Sequence, residues 1–158
     1  MKKEGVLSIH DFSDYKHMYD LTTQDLSKNI VDLHGDRICL NTLSTQPGVR
    51  ITCADVTALP TLPYQAHQFD LALCPDVIFD QAHETAAMTA SIRELCRVAF
   101  EVRIFPLSNN SGKMPDELGW LMLFLQQNHF GIEVREVSYK ALQGSSAMLR
   151  VWNQTCAV

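Results

Sequence analysis

No stretch of this 158-residue chain approaches the roughly 18 consecutive apolar residues that a membrane-spanning helix needs. The opening Met1-Lys2-Lys3-Glu4-Gly5-Val6 carries positive charge, but no apolar core of signal-peptide length follows before Asp11 and Asp14. A cytoplasmic protein is the expectation. The five cysteines, Cys39, Cys53, Cys74, Cys96 and Cys156, are odd in number and scattered, with no Cys-x-x-Cys and no paired histidines nearby. That argues against a disulfide framework and against a zinc site, and no metal is expected. The cysteines read as small buried hydrophobes, with Cys74 set apart because a strand end could expose its thiol. Also missing are His-x-x-x-His, Gly-x-Ser-x-Gly and the phosphate-cradling Gly-x-x-x-x-Gly-Lys-Ser/Thr. There is no internal repeat and no low-complexity tract.

Charge is modest. Charged residues make up 20% of the chain and the formal net charge is -5, which argues against a protein built mainly to grip a nucleic-acid backbone. Hydrophobic residues make up 46%, enough for 158 residues to bury a sizeable core as one domain spanning 1–158, with 1–18 as an N-terminal arm or short helix.

What is present alternates between strand and helix patterns. Phe69 to Cys74 is apolar except for Asp70, a length that suits a central parallel strand and is too short for a helix. Ile30 to Leu33 reads as a first strand, Arg37 to Leu43 as a short helix that Pro47-Gly48 ends, and Val49 to Asp55 as an alternating strand. Thr22 and Asp25 stand three apart, close to a capping box, which predicts a helix starting near Thr22. Met88, Ile92, Leu95 and Ala99 form a helical core stripe, with Arg93, Glu94 and Arg97 on its solvated side. Glu101 to Leu107 is the next strand, which Pro106 should end. Ser108 to Lys113 reads as a connector or a lid. Pro115-Asp116-Glu117 opens a helix so apolar through Leu118, Trp120 and Leu121 to Leu125 that it should be covered on two sides, by the N-terminal arm or by a second subunit. Ile132 to Val137 and Ala147 to Trp152 pair as a closing hairpin.

In open α/β sheets ligands bind in the crevice outside the carboxyl ends of the strands, so Cys74, Pro75 and Asp76 should open onto any pocket. Titratable candidates for its lining are Asp32, His34, Asp36, Asp55, Asp76 and His83.

Ala54-Asp55-Val56-Thr57-Ala58-Leu59-Pro60, followed after a polar loop by Phe69-Asp70-Leu71-Ala72-Leu73-Cys74, resembles the third and fourth motifs of the class I S-adenosylmethionine-dependent methyltransferases. Ser91 to Ala99 and Glu101 to Leu107 resemble that family's next helix and strand. Tyr19-Asp20-Leu21 with Asp25-Leu26, and Phe130-Gly131 with Tyr139 to Gly144, resemble the entry helix and the ending of a bacterial subgroup. The resemblance implies a Rossmann-like α/β fold: a mostly parallel sheet, helices on both faces and a C-terminal antiparallel hairpin. It implies S-adenosylmethionine as cofactor, held by Asp32, Gly35, Asp55, Val56, Cys74, Pro75 and Asp76.

Two departures bear on activity. His34-Gly35-Asp36 falls on the family's triple glycine, where side chains impede close approach of backbone to ligand, and only Gly35 remains. Asp36 there is either a favourable helix cap or a charge that repels the methionine carboxylate. Asp55 lines up with two family acids at once, so the chain looks shortened by about one β-α unit; Asp55 is otherwise a turn former. Two functions stay open: methyl transfer to an unknown acceptor, or a non-catalytic methyltransferase-derived module that no longer binds the cofactor and contacts another protein. The partner in the second case includes a homodimer through the 115–128 helix.

Overall fold

A computed structural model describes residues 12–80, 85–107, 114–139 and 147–154. Its strands are β1 (Asn29–Asp32), β2 (Arg50–Cys53), β3 (Phe69–Pro75), β4 (Ala99–Phe105), β5 (Phe130–Glu136) and β6 (Ala147–Asn153). Its helices are α1 (Phe12–Met18), α2 (Asp36–Asn41), α3 (Val77–Asp80), α4 (Thr85–Val98) and α5 (Leu118–Gln127). The strands form one mixed sheet in the order β2-β1-β3-β4-β6-β5, parallel from β2 to β4 and closed by the antiparallel β6 and β5. This is the Rossmann-like arrangement the resemblance implied.

Strand alternation sends side chains to two faces. Val31, Ala72, Cys74, Val102, Ile104, Leu149 and Val151 point to one face, where Met88, Ile92 and Leu95 of α4 and Leu121 and Leu125 of α5 cover them. Ile30, Leu71, Leu73, Phe105 and Met148 point to the other, under Tyr15 and Met18 of α1. Asp32, Glu101, Arg103 and Arg150 share that second face by the same alternation. The helical stripe is confirmed up to Leu95, while Ala99 opens β4 instead of ending α4.

Between β2 and β3 the chain makes only a 3-10 turn at Val56–Ala58 and a loop, which leaves β2 at the edge of the sheet. No strand or longer helix forms between β2 and β3. The loop there is pinned to α4: Glu94 accepts from the Leu62 amide at 2.7 Å, and Arg97 donates to the Leu62 carbonyl at 3.2 Å and to Glu94. Glu94 and Arg97, expected merely to face solvent, hold this loop.

The Thr22 expectation is half right. The reciprocal capping bonds exist, Thr22 amide to Asp25 at 2.9 Å and Asp25 amide to Thr22 hydroxyl at 3.1 Å, but they cap a single 3-10 turn, Asp25–Ser27. The chain must enter β1 at Asn29, so no room for a helix remains. The cysteine reading is also corrected: Cys39 and Cys53 are disulfide-bonded, with Cα atoms 5.8 Å apart. The pair lies on neighbouring elements of the fold, 14 residues apart in sequence, a closeness that spacing alone does not reveal. Among the described residues the apolar α5 is covered on one side only. Trp120 and Leu123 are 48% and 54% exposed, and α1 lies on the opposite face of the sheet. Residues 108–113, read as connector or lid, and His83 lie outside the described residues.

Candidate functional site

The expected crevice lies where β2, β1 and β3 end together. Asp32, the last residue of β1, pairs with Cys53 on one side and Leu73 on the other, so the tips bearing Asp55 and Cys74 flank it. They are one strand apart rather than directly adjacent. Tip atoms are cross-linked: the Ala54 amide donates to the Asp32 carbonyl at 2.8 Å, the Val56 amide to Leu33 at 3.1 Å, and the Leu33 amide to Leu73 at 2.9 Å. The loop after β1 folds back on the loop after β2, with His34 bridged to Asp55 and the Gly35 amide donating to Ala54 at 2.9 Å.

Gly35 sits at φ +94°, where a side chain is strained, and an added Cβ would come within 3.4 Å of the Asp55 carboxylate. The backbone at position 35 therefore calls for glycine. Asp36 is the first residue of α2 and exposed, its charge favourable at a helix start, while Gly35 holds the cap position without a side-chain bond.

Asp32 is 0% exposed and both of its oxygens are taken. Oδ2 accepts from the Tyr15 hydroxyl at 2.8 Å; Oδ1 meets His34 Nδ1 at 2.7 Å and the His34 amide at 3.2 Å. The His34 side chain is 4% exposed, and its Nε2 lies 3.2 Å from the Tyr19 hydroxyl, which donates to the Cys74 carbonyl at 2.9 Å. A chain of contacts thus runs Tyr15, Asp32, His34, Tyr19, Cys74, closing over the tips of β1 and β3 with two fully buried tyrosine rings. Burial, and then the Asp32 charge, push the Tyr15 hydroxyl well above its ordinary range; burial, then its Tyr15 neighbour, does the same to Tyr19. Both remain neutral donors.

Asp55 is exposed and serves the turn after it. Its Oδ1 accepts from the Thr57 amide at 2.9 Å and the Thr57 hydroxyl at 2.8 Å, and these bonds hold its carboxyl below the usual range. Cys74 is fully buried, and burial followed by the charge of Asp76 pushes its thiol far up. The reading of a small buried hydrophobe holds at Cys74, and the strand end does not expose its thiol, because the side chain points into the sheet's packed face. Pro75 closes β3, and Asp76 begins the turn into α3, its carbonyl accepting from Phe79 at 2.8 Å. Among the described residues no group of three or more His, Cys, Asp and Glu is placed to hold a metal ion. Among them too, no helix is long and apolar enough to cross a membrane. An open depression of about 390 Å³ lies at the amino ends of the strands, against Asn29, Arg50, Thr52 and Gln68, away from these tips.

Sequence reasoning named His34 as a candidate for the lining but missed Tyr15 and Tyr19 as tip residues. Tyr15 carried no motif, since its site is set by how α1 lies across the sheet, and Tyr19 was noted only within the resemblance to an entry helix.

A Rossmann-like sheet of this order, with strand tips gathered beside a β1 loop and a C-terminal antiparallel pair, is the architecture of the S-adenosylmethionine-dependent methyltransferases. Solved structures of that class superpose on the chain. The methyltransferase domain of bacterial CtHen1-C does so with a TM-score of 0.56 at 11% identity, over 82% of this chain and 92% of that one. A methyltransferase of Methanosarcina mazei gives 0.52 at 10% identity, over 81% and 93%. The N-methyltransferase NodS of Bradyrhizobium japonicum, solved with S-adenosylhomocysteine, gives 0.50 at 8% identity, over 90% and 84%. No family model and no curated protein matches the sequence.

Proposed function

We propose that this protein uses the methyltransferase fold as a scaffold and acts by contacting another protein, not by transferring a methyl group. The observation that carries this reading is the buried Tyr15–Asp32–His34–Tyr19 chain, which fills the strand tips with the protein's own side chains. As placed, these residues do not fit S-adenosylmethionine. Asp32 has no oxygen left to offer, and the imidazole of His34 stands where the resemblance calls for bare backbone. The absent β-α unit removes a further wall from the adenosine side. Undoing this arrangement leaves buried polar groups unpaired, at about 1–3 kcal/mol for each, and a ligand must repay that before it gains any affinity.

The contact surface we assign is the uncovered side of α5, where Trp120 and Phe124 stack with ring centroids 5.2 Å apart and Leu123 is exposed. A second copy of the chain is the first occupant to test. Calorimetric titration with S-adenosylhomocysteine, run beside light scattering of the same sample, tests the proposal. The expected result is no saturable heat at millimolar ligand together with a mass above that of one chain. Saturable heat with a strictly monomeric mass sinks it.

One observation favours a second reading, methyl transfer to an unknown acceptor. Asp55 stays exposed at the rim beside Gly35, as a ribose-holding acid would. Under it Asp32, Gly35, Asp55, Val56, Cys74, Pro75 and Asp76 hold the cofactor, and the N-terminal segment bearing Tyr15 and Tyr19 has to leave first.

A further inference from the structure

We propose that the Cys39–Cys53 disulfide is a thiol-exchange site that fastens α2 to the rim of the sheet, with a small-molecule or protein thiol as its reaction partner. Of the six residues of α2, Cys39 is the one that is buried, while Leu40 is 60% exposed. A helix this short does not hold itself together, and its amino-terminal cap has no side-chain bond. Besides the partly buried Ile38, which packs against the core, what ties it to the body of the protein is the bond to Cys53, the last residue of β2, on the strand at the edge of the sheet.

The two sulfurs are not equivalent. Cys39 is fully buried and Cys53 only half-buried, so an incoming thiolate reaches Cys53. Attack on its Sγ forms a mixed disulfide and breaks the protein's S–S bond; the electron pair leaves on Cys39 Sγ, which then takes a proton. A second thiolate attacks the partner sulfur of the mixed disulfide and releases Cys53 as thiolate. Two electrons have moved from two thiols to the protein, and one low-molecular-weight disulfide is produced. The reverse sequence, driven by such a disulfide, restores the bond. Cys74 and Cys96 are buried and take no part.

The consequence reaches the strand tips. Cys39 lies four residues beyond Gly35, whose carbonyl accepts from the Cys39 amide at 3.0 Å, and Gly35 with His34 is what joins the β1 loop to Ala54 and Asp55. Opening the bond frees α2 and loosens the strip that carries His34. This inference stands whichever reading of the crevice holds.

The test uses the full chain with Cys156→Ser, which removes the thiol outside the described residues. One sample is treated with glutathione disulfide and one with dithiothreitol; each is alkylated, mapped by mass spectrometry and followed by amide hydrogen exchange. After oxidation Cys39 and Cys53 should both resist alkylation, and after reduction both should be labelled. Exchange at 36–41 should then rise on the order of a hundredfold, from the entropy a loop of this length regains, while β1 and β3 stay protected. Adding Cys53→Ser should reproduce the reduced pattern without any reductant. Alkylation of both cysteines after oxidation overturns the proposal, as does equal exchange at 36–41 in the two states or an oxidised-like pattern in the variant.

Discussion

The N-terminal segment fastens to one face of the sheet in two places, and the chemistry differs between them. Over β1 and β3 it is held by neutral hydroxyls, Tyr15 on Asp32 and Tyr19 on the Cys74 carbonyl. Over β4, β6 and β5 it is held by charge. Arg103 donates to the Tyr19 carbonyl at 2.8 Å and to Asp25 at 3.1 Å and 3.3 Å, and its Nε meets Glu101 at 2.7 Å. Arg150 shares Glu101 and Glu133, lying 4.7 Å over the Trp152 ring, and Arg135 joins Glu133 to Asp20. The hydroxyl side closes the crevice; the ionic side anchors the segment that supplies the hydroxyls. A ligand entering at the tips must undo the first while the second still pulls the segment back.

Breaking the ionic side should cost most. Arg103→Met takes the arginine from the buried Asp25, which keeps the Thr22 amide and Lys28, and half-frees Glu101; a buried pair that loses one partner costs roughly 3–5 kcal/mol, and the bonds Asp25 retains put the loss at the low end, about 3 kcal/mol. Urea denaturation should show that loss. A loss under 1 kcal/mol would mean that the segment is held by the tyrosines alone.

The hydroxyl side comes next. Tyr15→Phe keeps the ring and takes from Asp32 Oδ2 its hydroxyl partner in a buried site, which costs about 1–3 kcal/mol. If its stability matches that of the parent protein, the Tyr15–Asp32 bond is not closing the tip.

Acid should separate the two sides. Burial alone would raise the Asp25 and Glu101 carboxyls, but the Thr22 amide with Arg103 for Asp25, and Arg150 with Arg103 for Glu101, outweigh it and hold both below their ordinary values of 3.8 and 4.5. Their stabilisation is therefore complete above about pH 4.5 and is lost as pH falls through the depressed values. The protection of residues 20–28 against hydrogen exchange, taken relative to the intrinsic rate at each pH from 6 down to 3, should fall only below about pH 4. A fall already at pH 5 to 6 contradicts the assignment.

The smallest effect belongs to the half-exposed rim. Glu133→Gln removes a pair partner whose side chain is 39% exposed, a change of about 0–1 kcal/mol by the same denaturation assay. A larger loss would show that the outer arginines carry weight the geometry does not give them.

The sheet was legible because its strands obey local rules. Phe69 to Cys74 and Val102 to Ile104 alternate or run apolar in ways a helix does not use, and the double alignment of Asp55 pointed to the short connection between β2 and β3. The Thr22–Asp25 box was read correctly as a pair of bonds and wrongly as a helix start, since what ends that turn is the distance left to β1. Trp120 and Leu123 were expected to be covered because apolar helices usually are. The Cys39–Cys53 bond and the Tyr15–Asp32 contact join residues on different elements, and no local pattern announces either. Position in the fold decides them.

The most direct test is an NMR titration of the isotope-labelled protein with S-adenosylhomocysteine, following the amides of Gly35, Asp55 and Asp76. With the tips filled by Tyr15, His34 and Tyr19, these resonances should not move at millimolar ligand. Saturable shifts at all three would contradict the account and place a working cofactor site where we propose a closed one.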